Sequence, residues 1–428
     1  MNSPFAKKAS LLNLWLWAVL VGVLSAAVVI GFRGLIQAVE WLATGHGGSL
    51  VETARALLPW RRALVSAVGG LLAGLVLHFG QRWAAHGPAG DRHVDYIDAV
   101  RSGEVLNDRT TLTRTASALV SVGTGASIGR EGPMVQMAAW SSARLASLVP
   151  MPAEQRNALL VCGIAAGIGS TYHAPLAGVV FVLELALGFF AGSAVAPVLI
   201  SSATASALVY WLVETKPLYS MPTVYLAPAG WGMAMAAGVV CGILGACMLG
   251  LLKYARSWFG LIRSLPVRLG LGGVLVGLVS AVIPEVWGNG YEVVSDVLQG
   301  SIPWTWVMLL FIAKVAATSL SGGSGAIGGV FTPTLFVGAT GGYVMAHLAE
   351  SVLPAGMAGD PRAIAVVGMA AVLSGTTHAP LMAIVMVLEM TGQFHLLLPV
   401  MLASGIAYAI SSELGVPPMY GNPIEAHQ

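Results

Sequence analysis

The sequence predicts an all-α integral membrane protein assembled from two similar halves. Hydrophobic residues make up 56% of its 428 residues and charged residues only 9%, and the mean hydropathy is +0.80. Apolar runs follow one another along nearly the whole chain, and a repeated motif relates the first half to the second. Ordinary soluble domains carry about 25% charged residues. This composition therefore places most of the chain in a bilayer, where helices satisfy their own backbone hydrogen bonds.

The charge balance and the cysteines exclude several classes of protein. Lys and Arg number 21 against 19 Asp and Glu, which gives a net charge of +2, and the basic residues lie in short gaps between apolar runs. Without a basic patch we expect no nucleic-acid partner. Cys162, Cys241 and Cys247 lie within apolar runs without metal-ligand spacing, which favours small buried core residues. We expect no metal, no cofactor and no enzymatic activity.

The first apolar run extends from about Leu11 to Gly31, directly after Lys7 and Lys8. It is too long for the apolar region of a signal peptide and has no clear cleavage site, so we expect a retained transmembrane helix. The two lysines ahead of it favour a cytoplasmic N-terminus under the positive-inside rule.

The remaining apolar runs predict further helices, several of them too short to cross a bilayer. Runs of ~11 to 16 residues fall short of the ~20 that a spanning helix needs, so we expect half-spanning or re-entrant helices. Between them, residues 82–110 and 215–229 are the longest hydrophilic stretches and are expected to be loops or short surface helices. The apolar runs lie near residues 62–80, 111–124, 132–149, 157–168, 174–190, 192–213, 230–252, 268–283, 304–320, 329–349, 362–374, 380–391 and 395–411.

An internal repeat relates the two halves. His173–Leu176 and the Val-Leu-Glu of residues 182–184 recur 205 residues later, at His378–Leu381 and residues 387–389. This recurrence favours a shared role for the two histidines at the start of a helix over titration chemistry. We expect a single membrane domain over residues 1–428, with a first half at about 12–213, a second half at about 230–411 and no cytoplasmic regulatory domain.

Two glycine-rich breaks correspond at an offset of 200 residues, within Gly125–Pro133 and Gly325–Pro333. A helix start presents unpaired N–H groups and a partial positive charge, so two such breaks aimed at one cavity form an anion site without a fixed cation. Glu131 would compete with the anion for these N–H groups when ionised and leave when protonated, as a gate does. A buried ion pair with Arg130 is the alternative; we favour the gate because such a pair would not need the flanking glycines.

Gly129–Pro133, followed by Val-Gln at 135–136, resembles the gating-glutamate signature of the CLC family of chloride channels and chloride/proton exchangers. Gly328–Pro333 is similar to that family's second anion loop, and Tyr420 matches its late anion-coordinating tyrosine. The resemblance covers about residues 12–423. Pro59–Arg62 and Trp287–Tyr291 further suggest the bacterial ClcB-type branch.

The resemblance implies up to 18 helices in two inverted halves, and a homodimer with one anion path in each subunit. It implies that Glu131 is the gate and proton acceptor, with chloride as the substrate. The anion-binding residues that it implies are Gly129, Arg130, Gly132, Gly329, Val330, Phe331 and Tyr420.

Two departures from the family pattern affect these expectations. The family's first-half loop supplies a serine to the anion, whereas residues 86–96 contain no serine here. Asp91 in the serine's place would repel an anion, so we expect only backbone from this loop to face the path. The inner proton-transfer glutamate is replaced by Leu185. Glu184 could substitute as a proton relay, but its counterpart Glu389 in the other half favours a structural role for both.

The sequence therefore predicts chloride transport across a bacterial inner membrane. Intact Glu131 favours chloride/proton exchange, and Leu185 leaves a passive, voltage- or pH-gated channel as the alternative. An organic-anion carrier or a membrane scaffold without transport is more remote, because the apolar runs are almost free of Arg and Lys and a scaffold has no use for two matched breaks.

Overall fold

The computed structural model describes residues 4–87, 93–187, 195–213, 217–354 and 356–420. Within these ranges every named element is a helix, apart from one isolated β-bridge. Asp91, the acid considered as a replacement for the family's serine, lies outside the described residues. The α-helices are α1 (Pro4–Thr44), α2 (Leu50–Ala56), α3 (Pro59–Ala85), α4 (Tyr96–Ser102), α5 (Asp108–Gly123), α6 (Glu131–Ser147), α7 (Ala153–Tyr172), α8 (Pro175–Phe181), α9 (Val195–Leu212), α10 (Trp231–Gly260), α11 (Leu265–Val282), α12 (Tyr291–Gln299), α13 (Trp304–Ser324), α14 (Phe331–Glu350), α15 (Pro361–Thr377), α16 (Pro380–Thr391) and α17 (Leu397–Glu413).

Helix length varies as the uneven apolar runs predict. Seven helical segments of the described chain are long and apolar enough to cross a bilayer. By contrast, Pro175–Ala186 (α8 and the π-helical turn that continues it) and α16 are apolar helices of 10–17 residues, and 12 residues rise only ~18 Å. The short helices α2 and α12 have no predicted apolar run, since each is confined to a loop between longer helices. The protein is thus a multi-pass membrane protein with several helices that do not span.

The two halves pack on one plan. In the first half α1 lies against α6, α7 and α9, and in the second half α10 lies against α14, α15 and α17. Equivalent elements also meet each other across the halves, α3 with α11 and α8 with α16. Contacts between equivalent elements are those expected near a two-fold relation, so the repeat in the sequence is also a repeat in the packing.

The inner helices α7 and α15 are buried along most of their length. Close packing there depends on small residues, as is usual between helices in membranes. A Cβ added at Gly338 would lie 2.3 Å from the carbonyl oxygen of Gly368, and one added at Gly368 would lie 2.3 Å from that of Gly338. Glycine at these positions lets α14 and α15 approach this closely, because any side chain there would meet the backbone of the other helix.

Three predictions about single residues need correction. His173 and His378 adopt φ of 55°, and each caps the C-terminus of the preceding helix, α7 or α15. Their shared role is therefore to end one helix with a left-handed turn, just before the proline that begins the next. Cys162 and Cys241 are buried as expected, but Cys247 is exposed, because it lies on the outward face of α10.

Candidate anion pathway

Three cavities are lined by Glu131 or by a residue next to it in the chain. The largest, the vestibule, has a volume of about 720 Å³. The central cavity, of about 20 Å³, shares Tyr96, Gly132, Gly329 and Tyr420 with the vestibule. A volume of that size holds about one water molecule. The third, the Glu40 cavity, has a volume of about 230 Å³, and its lining includes Gln37, Glu40, Ser49, Arg130, Asn289 and Glu292.

The two breaks meet each other directly through their backbones. The N–H of Gly129 donates to the carbonyl of Gly329 at 2.7 Å, and the N–H of Gly329 donates to the carbonyl of Gly129 at 2.8 Å. These two N–H groups are therefore not free, and the prediction that they bind an anion is wrong in that respect. Their role is to join the start of α6 to the start of α14 in an antiparallel bridge.

The backbone N–H groups in the first turns of α6 and α14 are the donors that remain available to an anion. The first N–H groups of a helix have no intrahelical acceptor, which leaves those of Glu131 and Gly132 on α6 and those of Phe331 and Thr332 on α14. Proline follows in both helices at the third position, where its missing N–H costs no helical hydrogen bond. Gly132 and Phe331 line the central cavity. The two helix starts therefore aim partial positive charge at one small space.

Two other predicted anion-binding residues lie away from the central cavity. Val330 lines the vestibule, and Arg130 lines the Glu40 cavity. Arg130 and Glu131 thus face different spaces, because successive residues at a helix start point in different directions. No salt bridge between them is found among the described residues.

Glu131 is 5% exposed and lines the central cavity. Its Oε1 accepts a hydrogen bond of 2.6 Å from Nδ2 of Asn289, whereas its Oε2 has no hydrogen-bond partner in the described chain. The expectation that the carboxylate competes for the N–H groups of the breaks is therefore wrong in this conformation, since a side-chain amide holds it instead. Gly129 makes room for it: a Cβ there would lie 2.2 Å from Oε2.

Two tyrosines, Tyr96 and Tyr420, line both the central cavity and the vestibule. Tyr420 packs edge-on against Phe181, with ring centroids 5.6 Å apart, and Tyr96 lies against the same ring, with centroids 6.4 Å apart. The expectation that only backbone from the first-half loop faces the path is wrong for Tyr96. The backbone N–H of Tyr96 donates to Gln136 Oε1 at 3.0 Å. It is therefore the side chain of Tyr96, not its N–H group, that is available to the path.

The vestibule carries more positive than negative side chains. Its lining includes Arg101, Arg114, Arg256 and Arg268, against Asp95 and Asp98. A concave surface with an excess of one charge concentrates the opposite ion. The vestibule therefore attracts anions towards the central cavity.

Glu184 and Glu389 form a reciprocal pair between the halves. Glu184 accepts hydrogen bonds from the backbone N–H groups of Leu381 and Met382, at 3.2 and 2.7 Å. Glu389 accepts from those of Leu176 and Ala177, at 3.1 and 2.7 Å. Each carboxylate thus caps the first turn of the other half's short helix, which favours the structural interpretation of both residues.

Leu185 is buried in a π-helical segment, Val182–Leu187, that follows α8. Its carbonyl accepts hydrogen bonds from the guanidinium of Arg101, at 3.1 Å from Nε and 2.5 Å from Nη2. A segment of this kind leaves carbonyls without their usual helical donors. Arg101 supplies such a donor to the carbonyl of Leu185. The Leu185 side chain is apolar, at the position where the family pattern has a carboxyl group.

Three residues near Glu131 were not predicted from the sequence as part of the site. Asn289 stands in a turn and Tyr96 at the start of a seven-residue helix, and neither position carries a local signal of contact with Glu131. Lys314 did carry a signal, since it is a lysine in an apolar run and lies 200 residues after Arg114, the offset of the two breaks. It is 1% exposed and does not line the central cavity, so that cavity has no lysine in its lining.

The fold and these cavities define a membrane transport protein with a path for a small anion. The chain belongs to the voltage-gated chloride channel family, whose model matches residues 69–412. It is 43% identical to a ClcB-like chloride channel protein of Ralstonia nicotianae, over 95% of both chains. It is 36% identical to the voltage-gated ClC-type chloride channel ClcB of Citrobacter koseri, over 96% of this chain and 98% of that one.

Solved structures with the same fold are more distant in sequence. A slow cyanobacterial Cl⁻/H⁺ antiporter superposes with a TM-score of 0.83 at 21% identity, over 97% of both chains. A CLC-type fluoride/proton antiporter gives a TM-score of 0.77 at 22% identity, over 96% of this chain and 98% of that one. The predicted family and the predicted CLC-type fold are thus confirmed.

Proposed function

We propose that the protein carries chloride through the vestibule, the central cavity and the Glu40 cavity, with Glu131 as the gate. One observation carries this proposal: the Glu131 carboxylate lines the central cavity and accepts its one hydrogen bond in the described chain from Asn289, which lines the Glu40 cavity. Ionised, it occupies space at the centre of an anion path and repels the anion. Protonation removes its charge and weakens that hydrogen bond, which lets the side chain move aside.

The groups that would hold the chloride come from three elements. They are the N–H groups of Gly132 on α6 and Phe331 on α14, and the hydroxyl of Tyr420, all lining the central cavity. Neutral donors bind an anion strongly enough to replace water and weakly enough to release it. Chloride is a substrate in this scheme, and no resident cofactor is needed.

Two modes of transport fit this site, and particular residues favour each. Glu184 is engaged by two N–H groups and Leu185 cannot carry a proton, which favours a passive channel gated by pH. Glu131 can accept a proton, which favours chloride/proton exchange. Exchange requires a group on the vestibule side that passes protons to Glu131, whereas a passive channel does not. At positions 184–185 the described chain has only Glu184, whose carboxylate is already hydrogen-bonded, and Leu185.

Reconstituted protein tests the proposal. In liposomes with a chloride gradient, uphill proton movement driven by chloride means exchange, and chloride flux alone means a channel. We expect Glu131→Gln to abolish any proton movement and to make chloride flux insensitive to pH, because glutamine cannot titrate. Glu154→Gln, at an exposed position, is the control and should behave as wild type. Unchanged pH dependence in Glu131→Gln would identify another gate, and no chloride flux at any pH would refute the proposal.

The setting of the protein is also part of the proposal. We infer a single membrane domain of two halves, at about 12–213 and 230–411, and an N-terminus in the cytoplasm of a bacterial inner membrane, supported by Lys7 and Lys8. We infer a homodimer from the family resemblance. Its mass in detergent, measured by light scattering, distinguishes one chain of 44.1 kDa from two.

A further inference from the structure

The loop between α11 and α12 holds Glu131 through one side chain. Asn289 Nδ2 donates to Glu131 Oε1 at 2.6 Å, and Asn289 Oδ1 accepts from the N–H of Tyr291 at 3.1 Å. The second contact fixes the orientation of the amide. Asn289 therefore cannot turn its carbonyl towards Glu131, and it offers only a donor to the gate.

The loop that carries Asn289 is held rigidly. Lys314 Nζ donates to the carbonyls of Val286 and Gly288, at 2.9 and 2.7 Å. Gly290 has φ of 88°, and a Cβ there would lie 2.7 Å from a ring carbon of Phe336. A buried ammonium on α13 and an aromatic ring on α14 thus fix the loop on both sides. We therefore expect Asn289 to stay in place when Glu131 moves.

Trp287 ties the same loop to the first half of the chain. It is fully buried, and a Cβ at Gly125 would lie 2.3 Å from its indole ring. Gly125 follows the end of α5, close to the first break. The position of Asn289 is therefore set by both halves that form the anion path.

We propose that Asn289 is the positioning residue that holds Glu131 closed and sets the pH at which the path opens. This inference rests on the proposed function of Glu131 as a gate. A fixed N–H donor stabilises a carboxylate more than a carboxylic acid. A proton that opens the gate must overcome this preference, so Asn289 shifts opening to lower pH.

Other titratable or charged groups also surround the gate. Lys314, Tyr172, Tyr219 and Tyr420 interact with Glu131 electrostatically, and Arg130, Glu40 and Glu292 lie around the cavity beyond Asn289. No hydrogen bond from any of them to the Glu131 carboxylate is present in the described chain. They remain the same in wild type and in Asn289 variants, so a changed pH profile in those variants reports on Asn289.

Two substitutions distinguish loss of the Asn289 N–H donor from disruption of the loop that carries it. Asn289→Asp keeps an oxygen for the N–H of Tyr291 but replaces the donor with an acceptor. Asn289→Leu removes the donor without adding charge. For both we expect chloride flux in liposomes to reach half its maximum about one pH unit higher than in wild type, since losing one hydrogen bond to a charged group changes an equilibrium at least tenfold.

Controls and a double variant keep the result decisive. Asn157→Asp, the same change at an exposed site on α7, should keep the wild-type profile. Asn289→Leu added to Glu131→Gln should give the flux of Glu131→Gln alone. A wild-type pH profile in both Asn289 variants, or a further change in the double variant, would overturn the inference. Flux that still depends on pH in Glu131→Gln would instead refute Glu131 as the gate. Failure of the Asn289 inference and failure of the proposed gate are therefore distinguishable.

Discussion

At the scale of single residues, the site depends on side chains whose neighbours come from distant parts of the chain. Lys314 is 1% exposed, and its ammonium is bound by two backbone carbonyls of a loop about 26 to 28 residues earlier. A buried charge is costly unless such partners meet it. The sequence marks this lysine as exceptional, but only the structure identifies what it holds.

Replacing Lys314 tests this anchoring role. Lys314→Met should lower stability by about 2 kcal/mol or more, because two buried carbonyls each lose a donor at about 1 to 3 kcal/mol. The midpoint temperature of a detergent-solubilised sample, followed by gel filtration after heating, measures the loss. Lys253→Met, at an exposed site on α10, is the matched control. Equal midpoints for the two variants would contradict the anchoring role.

At the scale of helices, short elements in the membrane interior need partners for their free ends. The first turns of α8 and α16 have unpaired N–H groups, and each receives a carboxylate from the other half. This exchange explains why the Val-Leu-Glu motif recurs after both His-Ala-Pro-Leu motifs. The repeat encodes mutual capping, which neither copy achieves alone.

The two caps should be of equal importance. Glu184→Leu and Glu389→Leu should each lower stability by about 1.5 to 3 kcal/mol, the range for hydrogen bonds to a charged group, as measured by the same heating assay. Glu413→Leu, at the exposed end of α17, should not. Glu184→Gln should leave any coupling between chloride and protons intact, and loss of coupling in a folded variant would restore Glu184 as a proton relay.

At the scale of the whole molecule, the halves meet at the gate. The Gly129–Gly329 bridge joins the two helix starts, and the Glu131 carboxylate occupies the space beside Gly129. The anion path therefore exists only when both halves are in contact. Any side chain at Gly129 disturbs the bridge and the gate together.

Gly129→Ala should show this dependence. Its Cβ would lie 2.2 Å from Glu131 Oε2 and 2.9 Å from the carbonyl oxygen of Gly329. We therefore expect a lower midpoint temperature in the heating assay, and chloride flux that persists at high pH because Glu131 cannot close the path. Gly34→Ala on α1, where an added Cβ meets nothing within 4 Å, should be as stable as wild type. Normal stability and normal closure in Gly129→Ala would show that the gate does not require this space.

The sequence by itself determined the membrane class, the positions of the long helices, the repeat and the central place of Glu131. Apolar periodicity and composition are local properties, and charged residues in apolar runs are conspicuous. Only the tertiary structure decided which N–H groups of the two breaks stay unpaired, that Asn289 holds Glu131, and that Tyr96 and Tyr420 line one cavity. These arrangements bring together residues as far as 324 positions apart, and each depends on how two halves of similar sequence pack around one small cavity. No local pattern specifies that packing.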